Sequence, residues 1–212
     1  MTRTRTALTA LSLSAGLLAV TACQSAPTST PAPTSSAVPT GSVTCEGQGI
    51  NPAAQLHHRT ETRINAPLDA VWKVQTEVEG WPAWQKAVTT AKRLDQGELK
   101  AGSKFEWTTP APATPVSPAT TLNITSTVLG VKTGECVRWS GPAVGQGLGI
   151  DEGVHVWTFT EVDGGVLVRT EESWTGAQLE ADPATAIKVL APGLDFWLAD
   201  LKAAAEARPA QN

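Results

Sequence analysis

The feature that most constrains this chain is Asp163-Gly164, set between two runs of alternating character, residues 154–162 and 166–174. Asp-Gly flanked by alternation is a strong short-range signal for a β-hairpin. A two-residue loop fixes the register, so that paired residue numbers add up to 327. His155 then faces Glu172, Trp157 faces Thr170 and Phe159 faces Val168. Side chains repeat every second residue along a strand, so these six share one face. The opposite face carries Val154, Val156, Thr158, Arg169, Glu171 and Ser173. It is the more polar of the two and is expected to look outward. A slip of one residue would exchange the faces.

Around this hairpin the chain reads as further strands and a few helices. A first strand is expected over 56–64. Pro67 then opens a helix at its first position, with Asp69 in the first turn. Leu68, Val71, Trp72, Gln75 and Val78 fall at helical spacing, and Gly80 ends the run. A second short helix is expected from Trp81 to about Val88. Strands are expected over 89–94, 104–108, 121–131 and 136–140. Residues 109–119 hold four prolines and read as a loop at the rim of the sheet. Residues 141–153 carry five glycines and Pro142 and read as a second, flexible loop. The last helix starts at Asp182-Pro183, a cap followed by proline at the first helical position. Ile187, Leu190, Leu194, Trp197, Leu198 and Leu201 form its apolar stripe, and Pro192-Gly193 is expected to kink or interrupt it.

The N-terminus has a different character. Arg3 and Arg5 precede a short apolar run from Ala7 to Val20, too short for a permanent membrane span. Val20-Thr21-Ala22-Cys23 resembles the lipobox of bacterial lipoproteins. That resemblance implies cleavage before Cys23 and a diacylglyceryl thioether on it, and two acyl chains hold a protein stably to a bilayer. The alternative is an ordinary signal peptide with an incidental cysteine. Residues 24–44 contain no charged side chain and are dominated by Ser, Thr, Pro, Ala and Gly, a composition that cannot bury enough apolar surface to order itself. The expected layout is a signal peptide over 1–22, lipidated Cys23 and a linker to 44, a folded domain over 45–208 and a tail over 209–212. The domain is expected outside the cytoplasm, tied to the cell membrane by Cys23 alone.

Cleavage would remove Arg3 and Arg5 from 16 basic side chains, leaving 14 against 20 acidic ones, a formal charge of −6. With no long run of Lys or Arg, no nucleic-acid partner is expected, since such binding draws mainly on phosphate neutralisation. With Cys23 lipidated, Cys45 and Cys136 remain as a pair. In an oxidising compartment that remainder points to a disulfide, the alternative being two free thiols.

The order of elements (strand, two short helices, six strands, long C-terminal helix) resembles the START-like, or Bet v 1-like, superfamily. Ile64-Asn65-Ala66-Pro67 followed by Val71-Trp72 is similar to the family's first strand and helix. Val78-Glu79-Gly80-Trp81-Pro82-Ala83-Trp84 resembles its aromatic signature. His155-Val156-Trp157-Thr158-Phe159 and Glu171-Glu172-Ser173-Trp174-Thr175-Gly176 resemble the last hairpin of its polyketide cyclase/dehydrase-like branch. The resemblance spans about residues 56–206 and implies an α+β helix-grip fold. In that fold a curved antiparallel sheet of about seven strands wraps around the C-terminal helix, with two short helices after the first strand and a cavity for a hydrophobic ligand between sheet and helix. Lipid carriers, hormone receptors and aromatase/cyclases share the fold, which therefore does not choose the function.

The chain has eight tryptophans and no tyrosine. Trp72, Trp81 and Trp197 fall on helix faces and are expected in the core. Trp84, Phe105, Trp107, Trp139, Trp157, Phe159 and Trp174, with His155 and Glu172, are the candidate wall of a ligand cavity, the alternative for each aromatic being ordinary packing. His155 opposite Glu172 is the one polar pair expected inside. It has two readings: a general base whose tautomer Glu172 fixes, or a buried hydrogen-bonded pair that orders the hairpin. No nucleophile motif or phosphate-binding loop accompanies it. His57 and His58 are adjacent on a strand, face opposite ways and make poor joint metal ligands. No metal or cofactor is expected. Three functions remain open: a tethered binder of a small hydrophobic molecule, a cyclase or dehydratase using His155 and Glu172, or an envelope interaction module. No sequence feature fixes the oligomeric state.

Overall fold

The computed structural model of the protein describes residues 41–115 and 117–208. The expected signal segment, Cys23, the linker up to residue 40 and the tail lie outside the described residues. Seven strands form one antiparallel sheet: β1 (Leu56–Ile64), β2 (Thr90–Arg93), β3 (Lys104–Ala111), β4 (Thr120–Lys132), β5 (Cys136–Gly145), β6 (Leu148–Val162) and β7 (Gly165–Thr175). Their spatial order is β1-β7-β6-β5-β4-β3-β2. Bulges at Val128/Gly130 and Gly141/Ala143 bend the sheet. The helices are α1 (Leu68–Thr76), α2 (Ala177–Glu180) and α3 (Pro183–Glu206), with a 3-10 helix over Val78–Ala83. The long helix α3 lies across the concave face, and this is the helix-grip arrangement.

The β6–β7 hairpin has the register that Asp163-Gly164 implies, with Val162 paired to Gly165 and His155 to Glu172. Its inward face is buried as expected: Trp157, Val168 and Thr170 are fully enclosed. The outward face departs from expectation, because Val156, Glu171 and Ser173 are buried as well. An N-terminal strap covers them. Val43, Cys45 and Ile50 pack on Cys136 and Val156. Val43 N donates to Glu171 Oε2 at 3.0 Å, and Asn51 N donates to Ser173 Oγ at 3.2 Å. Cys45 and Cys136 are joined by a disulfide, with Cα atoms 5.3 Å apart across 91 residues of sequence. Closing a loop of that length contributes about 4–5 kcal/mol in the chain-entropy model. Packing therefore begins at least at Val43, inside the stretch expected to be linker.

Three expected loops and breaks turn out differently. β3 runs on through Thr109-Pro110-Ala111, so the proline-rich loop shrinks to residues 112–119. β2 ends its pairing with β3 at Thr108, so Pro110 sits where one side of β3 is an open edge and its missing N–H is tolerated. The glycine-rich stretch 141–153 is no flexible loop either: β5 and β6 continue through it and close around Gln146-Gly147. Gly141 serves close approach, because a Cβ there would lie 1.9 Å from the Thr125 carbonyl oxygen. Pro192 leaves α3 continuous. Leu198 and Leu201 pack in the main core, and Leu190 and Leu194 are enclosed as well. Burying each is worth roughly 1.5–3 kcal/mol, together more than the ~3 kcal/mol of an internal proline.

Smaller corrections concern the helices. Pro67 precedes α1 in extended conformation (ψ 149°) instead of occupying its first turn. The second short helix comes earlier than 81–88 and is of the tighter 3-10 type, with Pro82 inside it. α2 was not anticipated. The Asp182 cap is as expected, its side chain accepting from Thr185 N at 3.1 Å.

Gly141→Ala is expected to destabilise the fold by about 3 kcal/mol or more, read by denaturant unfolding. Gly149→Ala, where a Cβ meets nothing within 4 Å, should be tolerated. Equal stability of the two variants would contradict the role of Gly141.

Candidate functional site

The concave side of the sheet is filled at one end and hollow at the other. At the filled end, near α1, the sheet-side residues are Phe105, Trp157 and Phe159, all enclosed. Trp197 on α3 meets them through edge contacts with Trp81 (5.2 Å between centroids) and Trp107 (5.5 Å) and a tilted contact with Trp157 (5.9 Å). Gln75 on α1, fully buried, locks two of these indoles. Its carbonyl oxygen accepts from Trp81 Nε1 at 2.9 Å and its Oε1 accepts from Trp197 Nε1 at 3.1 Å. With Oε1 spent on Trp197, Gln75 Nε2 has no hydrogen-bond partner among the described residues, and neither has Trp157 Nε1. Each such group costs about 1–3 kcal/mol, offset here by aromatic packing.

At the other end several inward positions of β5 and β6 are small. Gly141, Ala143 and Gly153 stand where the filled end has tryptophan and phenylalanine. α3 packs chiefly on β1 and α1, so it does not close over β3 and β4. The result is a cavity of about 380 Å³. Its wall includes Trp107, Trp139, Trp174, Trp197, Ile124, Ile150, Leu190 and Leu194, and its mouth includes Pro110, Pro112, Lys188 and Phe196. Phe196 is 67% exposed, an uncommon position for a phenylalanine. A smaller hollow of about 60 Å³ adjoins it toward α2 and shares Leu122, Ile150 and Trp174.

His155 and Glu172 are the acid–base groups of this wall. His155 Nε2 lies 2.8 Å from Thr170 Oγ1, and Thr170 Oγ1 donates to the Val156 carbonyl at 3.1 Å. A hydroxyl has one proton, and a carbonyl can only accept. Nε2 must therefore carry the imidazole proton, leaving Nδ1 with the lone pair. Nδ1 is 3.8 Å from Glu172 Oε2, too far for a hydrogen bond. Glu172 Oε1 accepts from Trp174 Nε1 at 2.9 Å. Burial pushes His155 down to about 3 and Glu172 up to about 7. The pair is thus a neutral imidazole beside a carboxyl that titrates near neutrality, not an ion pair. This corrects the expected division of roles: Thr170 fixes the tautomer, not Glu172, and His155 is too weak a base to take a proton near neutral pH.

Of the residues expected in the wall, Trp107, Trp139, His155, Glu172 and Trp174 are brought together around the cavity. Trp84, Phe105, Trp157 and Phe159 are not; they pack in the main core. The inward strand face is continuous across both ends of the sheet, so facing alone does not separate cavity from core. Trp197, expected in the core, reaches both. Thr170 was missed as the tautomer-setting partner, although the hairpin register already placed it one pair along from His155 on the same face. Among the described residues no three His, Cys, Asp or Glu side chains form a metal-binding group. His58 lies beside Asp195 of α3 instead, at 3.9 Å.

Comparison with known proteins agrees with this geometry. Residues 55–206 match the model of a family described as polyketide cyclase / dehydrase and lipid transport. No curated protein matches. A START superfamily protein from Mycobacterium smegmatis superposes with a TM-score of 0.57 at 9% identity, covering 71% of this chain and 97% of that one. The protein TTHA0849 from Thermus thermophilus gives 0.56 at 16% identity, with 71% and 97% covered. The structure titled Ara h 8.0201 gives 0.55 at 11%, with 72% and 98% covered. At such identities the likeness is one of fold.

The two shifted groups act oppositely on stability. Glu172 ionises near 4.5 when exposed and near 7 when folded, so stability falls as pH rises between those values. His155 takes a proton near 6.5 when exposed and near 3 when folded, so stability falls as pH drops through that window. Glu172→Gln keeps an acceptor for Trp174 and removes only the first effect. It is expected to match the native chain below about pH 4.5 and to exceed it above about pH 7. The excess, on the order of 3 kcal/mol, is to be measured by denaturant unfolding across pH. A stability difference independent of pH would contradict the burial of Glu172.

Proposed function

Since the chain belongs to the polyketide cyclase / dehydrase and lipid transport family, we propose that it binds a small hydrophobic molecule in its cavity, without catalysis, at the outer side of a membrane to which Cys23 ties it. The observation that carries the reading is the hollow itself. Its volume of about 380 Å³ lies in the range of small-molecule sites, and its lining is apolar and aromatic with a few convergent polar groups. Four indoles in the wall suit a flat or ring-bearing ligand. The open side between α3 and the β3–β4 rim, where Phe196 and Pro110 stand, supplies an entrance.

The tethering part rests on the lipobox-like tetrapeptide and the uncharged stretch behind it. A disulfide between Cys45 and Cys136 suits an oxidising compartment. Catalysis of the cyclase or dehydratase kind has less support, because the imidazole that would take the proton is held neutral and weakly basic.

Protein purified from its own host in the native form and as Cys23→Ala, weighed intact by native mass spectrometry, tests both parts. The native chain is expected in the membrane fraction with a bound small molecule. Cys23→Ala is expected in the soluble or secreted fraction, still carrying that molecule. A ligand-free native chain would overturn the binding reading, and an unchanged distribution of Cys23→Ala would overturn the anchor.

A further inference from the structure

His155 and Glu172 each have one polar atom engaged and one unspent. Nε2 is held by Thr170 and Glu172 Oε1 by Trp174 Nε1. Among the described residues, Nδ1 and Glu172 Oε2 make no hydrogen bond, and they stand 3.8 Å apart in the cavity wall. That gap is too long for a bond between them, yet it suits a single bridging atom. An oxygen about 2.8 Å from each closes the triangle. Around them the wall is mostly indole faces and aliphatic carbon; of its other polar side chains, Ser126 Oγ already accepts from Trp107 Nε1 and Gln85 Oε1 from Ala87 N, while Thr109 and Lys188 complete the polar lining.

The chemistry of the two unspent atoms selects the bridging group. Nδ1 carries a lone pair and can only accept from a neutral ligand, because Thr170 fixes the proton on Nε2. Burial favours the neutral carboxyl at Glu172, which has an O–H to donate. A group that donates once and accepts once satisfies both. A hydroxyl does so. A ketone or ether has nothing to give Nδ1, and an ammonium would have to leave water for a largely apolar wall.

We propose that His155 and Glu172 form a hydroxyl-selective subsite, in which an alcohol or phenol group of the ligand donates to His155 Nδ1 and accepts from the Glu172 carboxyl. The apolar body of the ligand then lies against Trp139, Trp174 and Trp197. This rests on the reading of the cavity as a ligand site and narrows the ligand to a hydrophobic alcohol or phenol.

Three probes of one skeleton test it: naphthol, methoxynaphthalene and naphthalene, titrated calorimetrically into the full chain. Naphthol is expected to bind about tenfold more tightly than methoxynaphthalene, the value of one well-made buried hydrogen bond. His155→Phe keeps a ring between Trp139 and Trp157 and should lose that tenfold preference. Glu172→Leu should also lose the preference, which covers the case in which His155→Phe fails to fold. Equal affinity for naphthol and methoxynaphthalene in the native chain, or a preference that survives both substitutions, would overturn the subsite and leave the cavity reading standing. Failure of all three probes to bind would overturn both.

Discussion

The indole of Trp197 sets the distance between α3 and the sheet, and the cavity depends on that distance. Trp197 rests on Trp81, Trp107 and Trp157, and its Nε1 is pinned to Gln75 on α1. Rings of this size cannot be compressed, since interiors are already packed as densely as organic crystals. They act as a wedge under a continuous helix, between its core-packed part and the part over the cavity. Farther along, Gly141, Ala143 and Gly153 contribute little or no side chain to the cavity, which Leu190 and Leu194 of α3 line as well. The hollow is therefore a consequence of where the bulky and small residues sit along the same strands.

Much of this was legible in the sequence, and for stated reasons. The Asp163-Gly164 turn fixed a register and so placed His155, Trp157, Phe159, Val168, Thr170 and Glu172 on one face. Helical spacing marked the stripe of α3, and the order of elements carried the resemblance to the helix-grip fold. What failed was local reading of glycine and proline. The glycines of 141–153 looked like flexibility and are instead strand positions, one of them pressed against a neighbouring backbone. Pro110 looked like a strand breaker and sits on an open edge. Both depend on which strand lies alongside, a fact of tertiary pairing that no local pattern contains. The strap over the outer face was missed for a similar reason: Val43 sits in a low-complexity stretch, and it packs through the Cys45–Cys136 link and its bond to Glu171, both long-range contacts.

The site was half legible. Alternation told which residues face inward but could not tell the filled end from the hollow one, so Trp84, Phe105, Trp157 and Phe159 were grouped with the wall. The contrast of large and small residues along β5 and β6 carries that information. Pairing of His155 with Glu172 followed from the register, whereas their ionisation followed from burial. An enclosed imidazole and a half-buried carboxyl 3.8 Å apart are both shifted toward their neutral forms. A wall of that kind suits the uncharged polar group of the proposed ligand, and it supports the proposal of binding over proton abstraction.

The central claim is that tryptophans fill one end of the interior and line a hollow at the other. Xenon enters apolar cavities, and its effect can be followed at each indole N–H by nuclear magnetic resonance. Under xenon pressure the resonances of Trp107, Trp139, Trp174 and Trp197 are expected to shift, while that of Trp81, buried and bonded to Gln75, stays in place. Shifts spread evenly over all eight indoles, or none at any of them, would contradict the hollow.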